Sequence, residues 1–418
     1  MTISRTRSAL AVVAAALVLT LTACAGGGGS GTGGAVDAAV LGPDKPATGE
    51  PVKVGFISTG RTQALDYSDE MEAVQATVEY ANAKLGGLAG RPIELLICEE
   101  HVTPAEAEAC GNRMVTEGVA AVVAASPPYI DYWLPQVRAA GIPVMVNLTS
   151  TKPSLETPGV FALQNGAWVF GGAAAFAERN GFTRGAIVVP DLPGSAGTAR
   201  VFGPRVFDTI GGSVDVVAIM NGTPDMTPMI QAAENTDPQL YHVIGDPNFC
   251  SGVLRAIKSL GLDTPLLMYS RCLTEGGADG IEGGYRGVTV LSIAITDPAD
   301  PEYQIFAAVL QGYGSDIEEN KGTSGYQAML AFVRAVNANP PAELTPQAVE
   351  AAIAGAPAVP FPLGGGSSFR CNGTAAPSVS PNICLSSGFF AVADEEGGLS
   401  DFSTYDTSTL FGGGPTGG

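Results

Sequence analysis

The sequence predicts an α/β protein with parallel sheets and helices on both faces. Two observations carry that reading. From Pro51 onward short apolar runs alternate with longer amphipathic stretches, and several of those stretches end in a glycine turn that leads into the next run. Strands are expected over residues 52–57, 93–97, 120–124, 144–146, 185–189, 214–219, 241–244, 266–268 and 288–293. Helices are expected between them, over 67–85, 104–117, 132–140, 169–180, 196–210, 226–233 and 252–260. The turns Ala140-Gly141-Ile142-Pro143, Asn180-Gly181-Phe182, Ile210-Gly211-Gly212 and Leu260-Gly261-Leu262 place a glycine where a helix needs a left-handed cap. After Asp297 the pattern changes to helices over 301–313, 324–337 and 346–354, with Gly, Ser and Pro dominating the remainder. The stretch from Pro51 is long enough for two domains, and the tail 411–418 is expected to be disordered.

The N-terminus indicates a compartment. Arg5 and Arg7 precede an apolar run over 9–21, which meets Leu21-Thr22-Ala23-Cys24, so residues 1–23 read as an export signal. The run is too short for a comfortable membrane span and is followed at once by glycines. Leu-Thr-Ala-Cys resembles the bacterial lipobox, in which the cysteine is acylated and becomes the mature N-terminus. Cys24 is then a lipid anchor on the outer face of the cell membrane, and residues 24–50 a flexible tether. An ordinary signal peptide with an incidental cysteine is the plainer alternative.

Removing residues 1–23 takes away two arginines and no acid, so the formal charge falls from −20 to about −22. That sign opposes nucleic acid and anionic lipid, so the link to the membrane is expected to be the acyl chain alone. Beyond Cys24 the sequence has Cys98, Cys110, Cys250, Cys272, Cys371 and Cys384, an even number in an exported chain. Proximity favours the disulfides Cys98–Cys110, Cys250–Cys272 and Cys371–Cys384, with other connectivities open. No metal or other cofactor is expected, because there is no Cys-x-x-Cys and His101 and His242 lie in unrelated contexts. A secreted hydrolase lacks support in Gly-x-Ser-x-Gly, His-Glu-x-x-His or Ser-x-x-Lys, and no enzyme is expected.

Particular residues carry a family resemblance. The strand Val52-Lys53-Val54-Gly55-Phe56-Ile57-Ser58, the helix end Asn82-Ala83-Lys84-Leu85-Gly86-Gly87-Leu88-Ala89-Gly90 and the following Arg91-Pro92-Ile93-Glu94-Leu95 resemble the first βαβ unit of type I periplasmic binding proteins. More narrowly the chain is similar to their branched-chain amino-acid (leucine/isoleucine/valine) branch, the binding components of ABC importers. The resemblance runs through 120–126, 141–144 and 149–153, and Cys98 and Cys110 match where that branch has a disulfide. It implies two Rossmann-like lobes joined by hinge crossings, near 163–166, near 287–293 and after Asn337. The lobes are expected to comprise 51–164 plus 288–338, and 165–287 plus 339–410. It further implies a monomer that closes on a small molecule, an amino acid or small carboxylate, and presents it to permease subunits. A sensing receptor module built on the same clamp is a second reading.

Ligands of open parallel sheets bind beyond the carboxyl ends of the strands, near helix N-termini that favour anions. In the first lobe those ends carry Ser58, Ser126, Tyr129, Thr149 and Thr151. By resemblance Ser126, Thr149 and Thr151 hold a ligand carboxylate; taken singly, each is as well explained as a helix cap or turn residue. The second lobe is expected to add Trp168, Asp191, Asp246, Asn248 and Arg271. Trp168 could stack on a ligand or plug the hinge. Arg271 departs from the family, which places an acid there for the ligand ammonium; a buried arginine wants a carboxylate or phosphate. It could instead pair with Asp246 or Glu275, or Glu275 could restore the acid.

Overall fold

The computed structural model describes residues 37–62, 66–166, 168–274, 276–314, 322–408 and 410. The expected signal, Cys24, the glycine-rich start of the tether, Glu275 and the 411–418 tail lie outside the described residues.

The β-branched and apolar runs of the first half fold as strands because both faces of their sheet are covered. In chain order they are β1 (Val52–Ser58), β2 (Ile93–Glu99), β3 (Val122–Ala124), β4 (Val144–Thr149) and β5 (Val160–Asn165), alternating with α1 (Ser68–Tyr80), α2 (Pro104–Glu117), α3 (Ile130–Ala139) and the short α4 (Lys152–Glu156). All pair in parallel, in the order β2-β1-β3-β4-β5. Val54, Phe56 and Val123 face one core, while Ile57, Val122 and Val146 face another that α2 and α3 complete through Met114 and Trp133. Local signals set the helix ends. Thr103 accepts the Glu106 N–H ahead of Pro104, and at Gly141, the turn after α3, φ is 74°.

The second lobe repeats the scheme with α5 (Trp168–Asn180), β6 (Arg184–Pro190), α6 (Pro193–Asp208), β7 (Ser213–Ile219), α7 (Thr227–Ala233), β8 (Tyr241–Val243), α8 (Pro247–Ser259), β9 (Leu266–Tyr269) and β10 (Thr289–Ser292). The chain then adds α9 (Pro301–Tyr313), α10 (Thr323–Ala338), α11 (Pro346–Gly355), the small hairpin β11 (Val359–Pro360) and β12 (Ser368–Phe369), and finally β13 (Ser387–Ala393) and β14 (Leu399–Asp406). The second sheet runs β14-β13-β10-β9-β8-β6-β7, parallel from β7 to β10, with β13 and β14 antiparallel at its edge. Its parallel part has the same reversal of order as the first sheet.

The two parallel sheets are those the sequence predicts, and the expected pairs Cys98–Cys110, Cys250–Cys272 and Cys371–Cys384 are bonded. Two lobe boundaries move. Residues 288–292 belong to the second sheet, because β10 pairs with β9 and β13 with Val290 and Leu291 fully buried. Residues 339–385 belong with the first lobe, because Val349, Ile353, Phe361 and Phe369 complete the core that α10 shares with β1. Ile383 bridges to Ala162 at the edge of the first sheet. The third crossing therefore lies at 385–387. Strand β5 and the β13–β14 pair were not anticipated.

Buried amides hold the crossings. Gln327 of α10 donates to Ile293 O (3.0 Å) and Pro362 O (3.1 Å) and accepts from Asn147 Nδ2 (3.1 Å). Gln164 Nε2 reaches Ile293 O at 3.2 Å. Gln327→Ala leaves these buried partners short of bonds and should lower unfolding free energy by about 1–3 kcal/mol, measured by urea denaturation. An unchanged midpoint would show that the network does not hold the hinge.

Candidate functional site

A sheet of this order offers a ligand site beyond the strand ends where the order reverses. In the first lobe that point lies between β1 and β3, and in the second between β6 and β8.

Ser58 closes β1 and is buried; its hydroxyl donates to Glu70 Oε1 (3.0 Å) and accepts from the Gly60 N–H (3.2 Å). Glu70 lies in the first turn of α1. Burial raises its pKa to about 7; the Ser58 bond and the charge of Arg271 oppose the rise, and Glu100 adds to it. Glu100, directly after β2, is fully buried and also stands at about 7, through burial opposed by the Tyr129 N–H and the nearby Trp133 indole. Tyr129 N–H meets Glu100 Oε1 at 3.2 Å, and the Tyr129 ring lies 5.5 Å from that of Tyr132. Among the described residues Glu100 Oε2 and Trp133 Nε1 are buried without a hydrogen-bond partner. Ser126, two residues past β3, is half-buried.

At the end of β4 the hydroxyls form a chain. Thr149 Oγ1 lies 2.6 Å from Ser154 Oγ, and Ser154 Oγ lies 2.8 Å from both Thr151 O and Thr151 Oγ1. Thr151 Oγ1 donates to Asp131 Oδ1 at 2.6 Å while also capping α4. The cap reading of Thr151 is thus realised in the structure.

In the second lobe Trp168 opens α5 and sets its buried ring edge-on to Tyr269, 5.7 Å between centroids. Arg271 sits in the 3-10 turn Ser270–Cys272, directly after β9, and is exposed. Burial raises the Tyr269 phenol above its ordinary pKa, the Arg271 charge opposes the rise, and Tyr67 of the first lobe adds to it. The Cys250–Cys272 bond ties the turn to α8. The expected Arg271–Asp246 alternative has a competitor, because Asp246 caps α8 by accepting the N–H groups of Asn248 and Phe249 (3.0 and 3.1 Å). Asp246 and Asn248 line a groove of about 490 Å³ that runs past Asn221 and Arg255 within the second lobe. Asp191 is exposed after β6.

Between the lobes lies a cavity of about 360 Å³. Its apolar wall is Leu155 and Val379 on the first-lobe side and Phe170, Phe202 and Ile244 on the other; Ser150, Asn165 and Thr198 add polar atoms. Phe170 and Phe202 stack with centroids 6.0 Å apart. The cavity is displaced by a residue or two from several expected positions: Ser150 lines it beside Thr149, Phe170 beyond Trp168, and Ile244 before Asp246. Sequence reading missed Glu70 and Glu100, whose surroundings read as ordinary solvated acids, and Phe170 and Phe202, which lie on two different helices. Only Tyr269, adjacent to Ser270-Arg271, stood where a signal existed.

Among the described residues no group of three or more His, Cys, Asp or Glu is placed to hold a metal, and no helix is long and apolar enough to cross a membrane. His242 is buried on β8, where burial lowers its pKa to about 4, and His101 is in the other lobe, its N–H bonded to Thr59 O.

Two parallel α/β lobes facing one another across a cavity at their strand ends define a bilobal binding fold. The chain belongs to the periplasmic binding protein family, whose model matches residues 51–380. Solved structures share the fold. A putative branched-chain amino acid ABC transporter protein from Rhodospirillum rubrum superposes with a TM-score of 0.69 at 19% identity, over 85% of this chain and 100% of that one. A solute-binding protein of an ABC transporter from R. palustris, in complex with 4-hydroxybenzoate, gives 0.65 at 18% over 85% and 97%. A branched-chain amino acid transporter substrate-binding protein from Streptococcus pneumoniae, in complex with isoleucine, gives 0.64 at 14% over 85% and 100%. Sequence comparison with curated proteins finds no match.

Glu70 and Glu100 bind protons more tightly in the folded than in the unfolded chain between pH 4.5 and about 7. The free protein should therefore lose stability as pH rises through that window, and Glu70→Gln or Glu100→Gln should flatten the loss in a series of melting curves. Parallel pH profiles for variant and parent would refute the assignment.

Proposed function

We propose that this protein is the extracytoplasmic substrate-binding lipoprotein of an ABC importer of the branched-chain amino-acid type. In this reading it binds an amino acid or a related small carboxylate between its lobes. The observation that carries the reading is the interlobe cavity, which pairs apolar and aromatic walls with a few hydroxyl and amide groups, the composition of a small-solute site. The family match supports the same role. In this reading Ser126 and Tyr129 of the first lobe and Trp168 and Arg271 of the second would contact the ligand. The 4-hydroxybenzoate and isoleucine held by similarly folded proteins span the range of body shapes to test.

Binding closes the two lobes only to the extent that ligand prefers the closed form, and permease subunits would read that closed form. No catalytic role is proposed: His101 follows β2 in the first lobe, and His242 is buried on β8 in the second. Cys24, acylated, would hold a monomer at the outer face of the membrane, with the glycine-rich residues behind it as a spacer.

A thermal-shift screen of amino acids, aliphatic and aromatic acids and their amides checks the ligand class, since a solute that binds only the folded protein raises its melting temperature. A rise confined to carboxylate-bearing solutes is expected; a flat response to all of them counts against the proposal. Cys24→Ser should move the protein from the membrane to the soluble fraction. Retention on the membrane would remove the lipid anchor from the account.

A further inference from the structure

We infer that the disulfide-closed segment over 371–384 is part of the binding site, and that Val379 on it, with Leu155, sets how large an apolar body the interlobe cavity accepts. This rests on the reading above of that cavity as the solute site and adds the residues that select by size.

The first argument is which apolar surface the fold leaves uncovered. Leu155 of α4 and Val379 are each half-buried, and neither belongs to a hydrophobic core of the described residues. Both line the cavity from the first-lobe side. Across from them stand Phe170, Ile244 and the half-buried Phe202. No described residue lining the cavity has an ionisable side chain, so the part of a solute that enters it is uncharged. The volume of about 360 Å³ lies at the lower end of the roughly 300–1,000 Å³ usual for small-molecule pockets. In so small a space a change of one side chain in the wall alters what fits.

The second argument is how that wall is held, because a loop tip that moved freely would set no size limit. Cys371 and Cys384 are bonded to each other and buried in the core that α10 shares with β1, which fixes both roots of the segment. Its later part is tied to α4 and to the strand beyond. The Ser380 hydroxyl donates to Leu155 O, and Asn382 Nδ2 donates to Ser154 O (3.0 Å) and Thr157 O (2.8 Å). Asn382 O accepts the Ala162 N–H of β5 at 2.8 Å, and the Val379 N–H closes a turn on Ala376 O at 3.0 Å. Val379, next to Ser380, is thereby seated on the same wall as Leu155.

The test is a comparison of body sizes on three proteins. Binding of two matched pairs, leucine with phenylalanine and 4-methylpentanoate with 3-phenylpropanoate, is measured by calorimetry on the full-length protein, Val379→Ala and Val379→Phe. Unliganded melting curves verify folding, and the half-buried position makes both variants tolerable. The readout is the ratio of affinities, phenyl body to branched body. It should fall at least about tenfold in Val379→Phe, which fills the cavity. It should rise in Val379→Ala, where loss of two methyl groups from the wall weakens the branched body by up to about tenfold. Should the screen above return other solutes, the same ratio is taken between the largest and the smallest of them. A ratio unchanged in Val379→Phe overturns the inference and leaves the solute-site reading standing. Failure of every solute in the pairs and in the screen to bind the parent rejects that reading and this inference with it.

Discussion

The structure depends on a cluster of buried amides where the chain passes between lobes. Ile293 leaves β10 and crosses to the first lobe with its carbonyl partly buried, and Gln327 and Gln164 both supply it a donor. Gln327 also accepts from Asn147 and reaches Pro362, so one side chain of α10 joins β4, the crossing and the loop of the β11–β12 hairpin. A buried polar group without such partners would cost more than the fold can spare. Because each bond ends on a neighbouring element, the lobes share one frame even though each has its own sheet. The third crossing is fixed differently, by the Cys371–Cys384 bond and the bridge of Ile383 to Ala162. Rotation of one lobe against the other must then be absorbed in short segments, as a closing clamp requires.

At its strand ends the first lobe gathers buried acids and linked hydroxyls: Glu70 bonded to Ser58, Glu100 directly after β2, and Thr149, Ser154 and Thr151 at the end of β4. The same residues that cap α4 and order the β4 end also decide what kind of group can approach them. Glu70 and Glu100 are held near 7 by burial, so their charge state varies close to neutral pH. The cavity beside this polar border is apolar and aromatic, which suits a solute with one ionic end and a carbon body.

Much of the fold was legible. The period of the apolar runs, the glycine turns such as Gly141 and Gly261, and the Thr103 and Asp246 caps are local signals, and the helices and parallel strands follow them. What escaped was non-local. The segment over 339–385 has no strong periodicity of its own, and only the core around α10 assigns it to the first lobe. β13 pairs in reverse with β10 from almost a hundred residues away, a choice that no local pattern encodes. At the site, the strand-end positions of Ser58, Ser126, Thr149 and Arg271 were readable from the rule that ligands gather there. The raised pKa of Glu70 and the hydroxyl chain through Ser154 were not, since both depend on neighbours brought together by folding.

The sequence by itself determined the alternation of strands and helices and the family resemblance, and proximity along the chain favoured the cysteine pairs that the structure bonds. Tertiary structure alone decided which lobe the return segments join, where the cavity opens and which acids are buried. Those outcomes follow from burial and from the partner each polar group finds, and burial is a property of the folded whole.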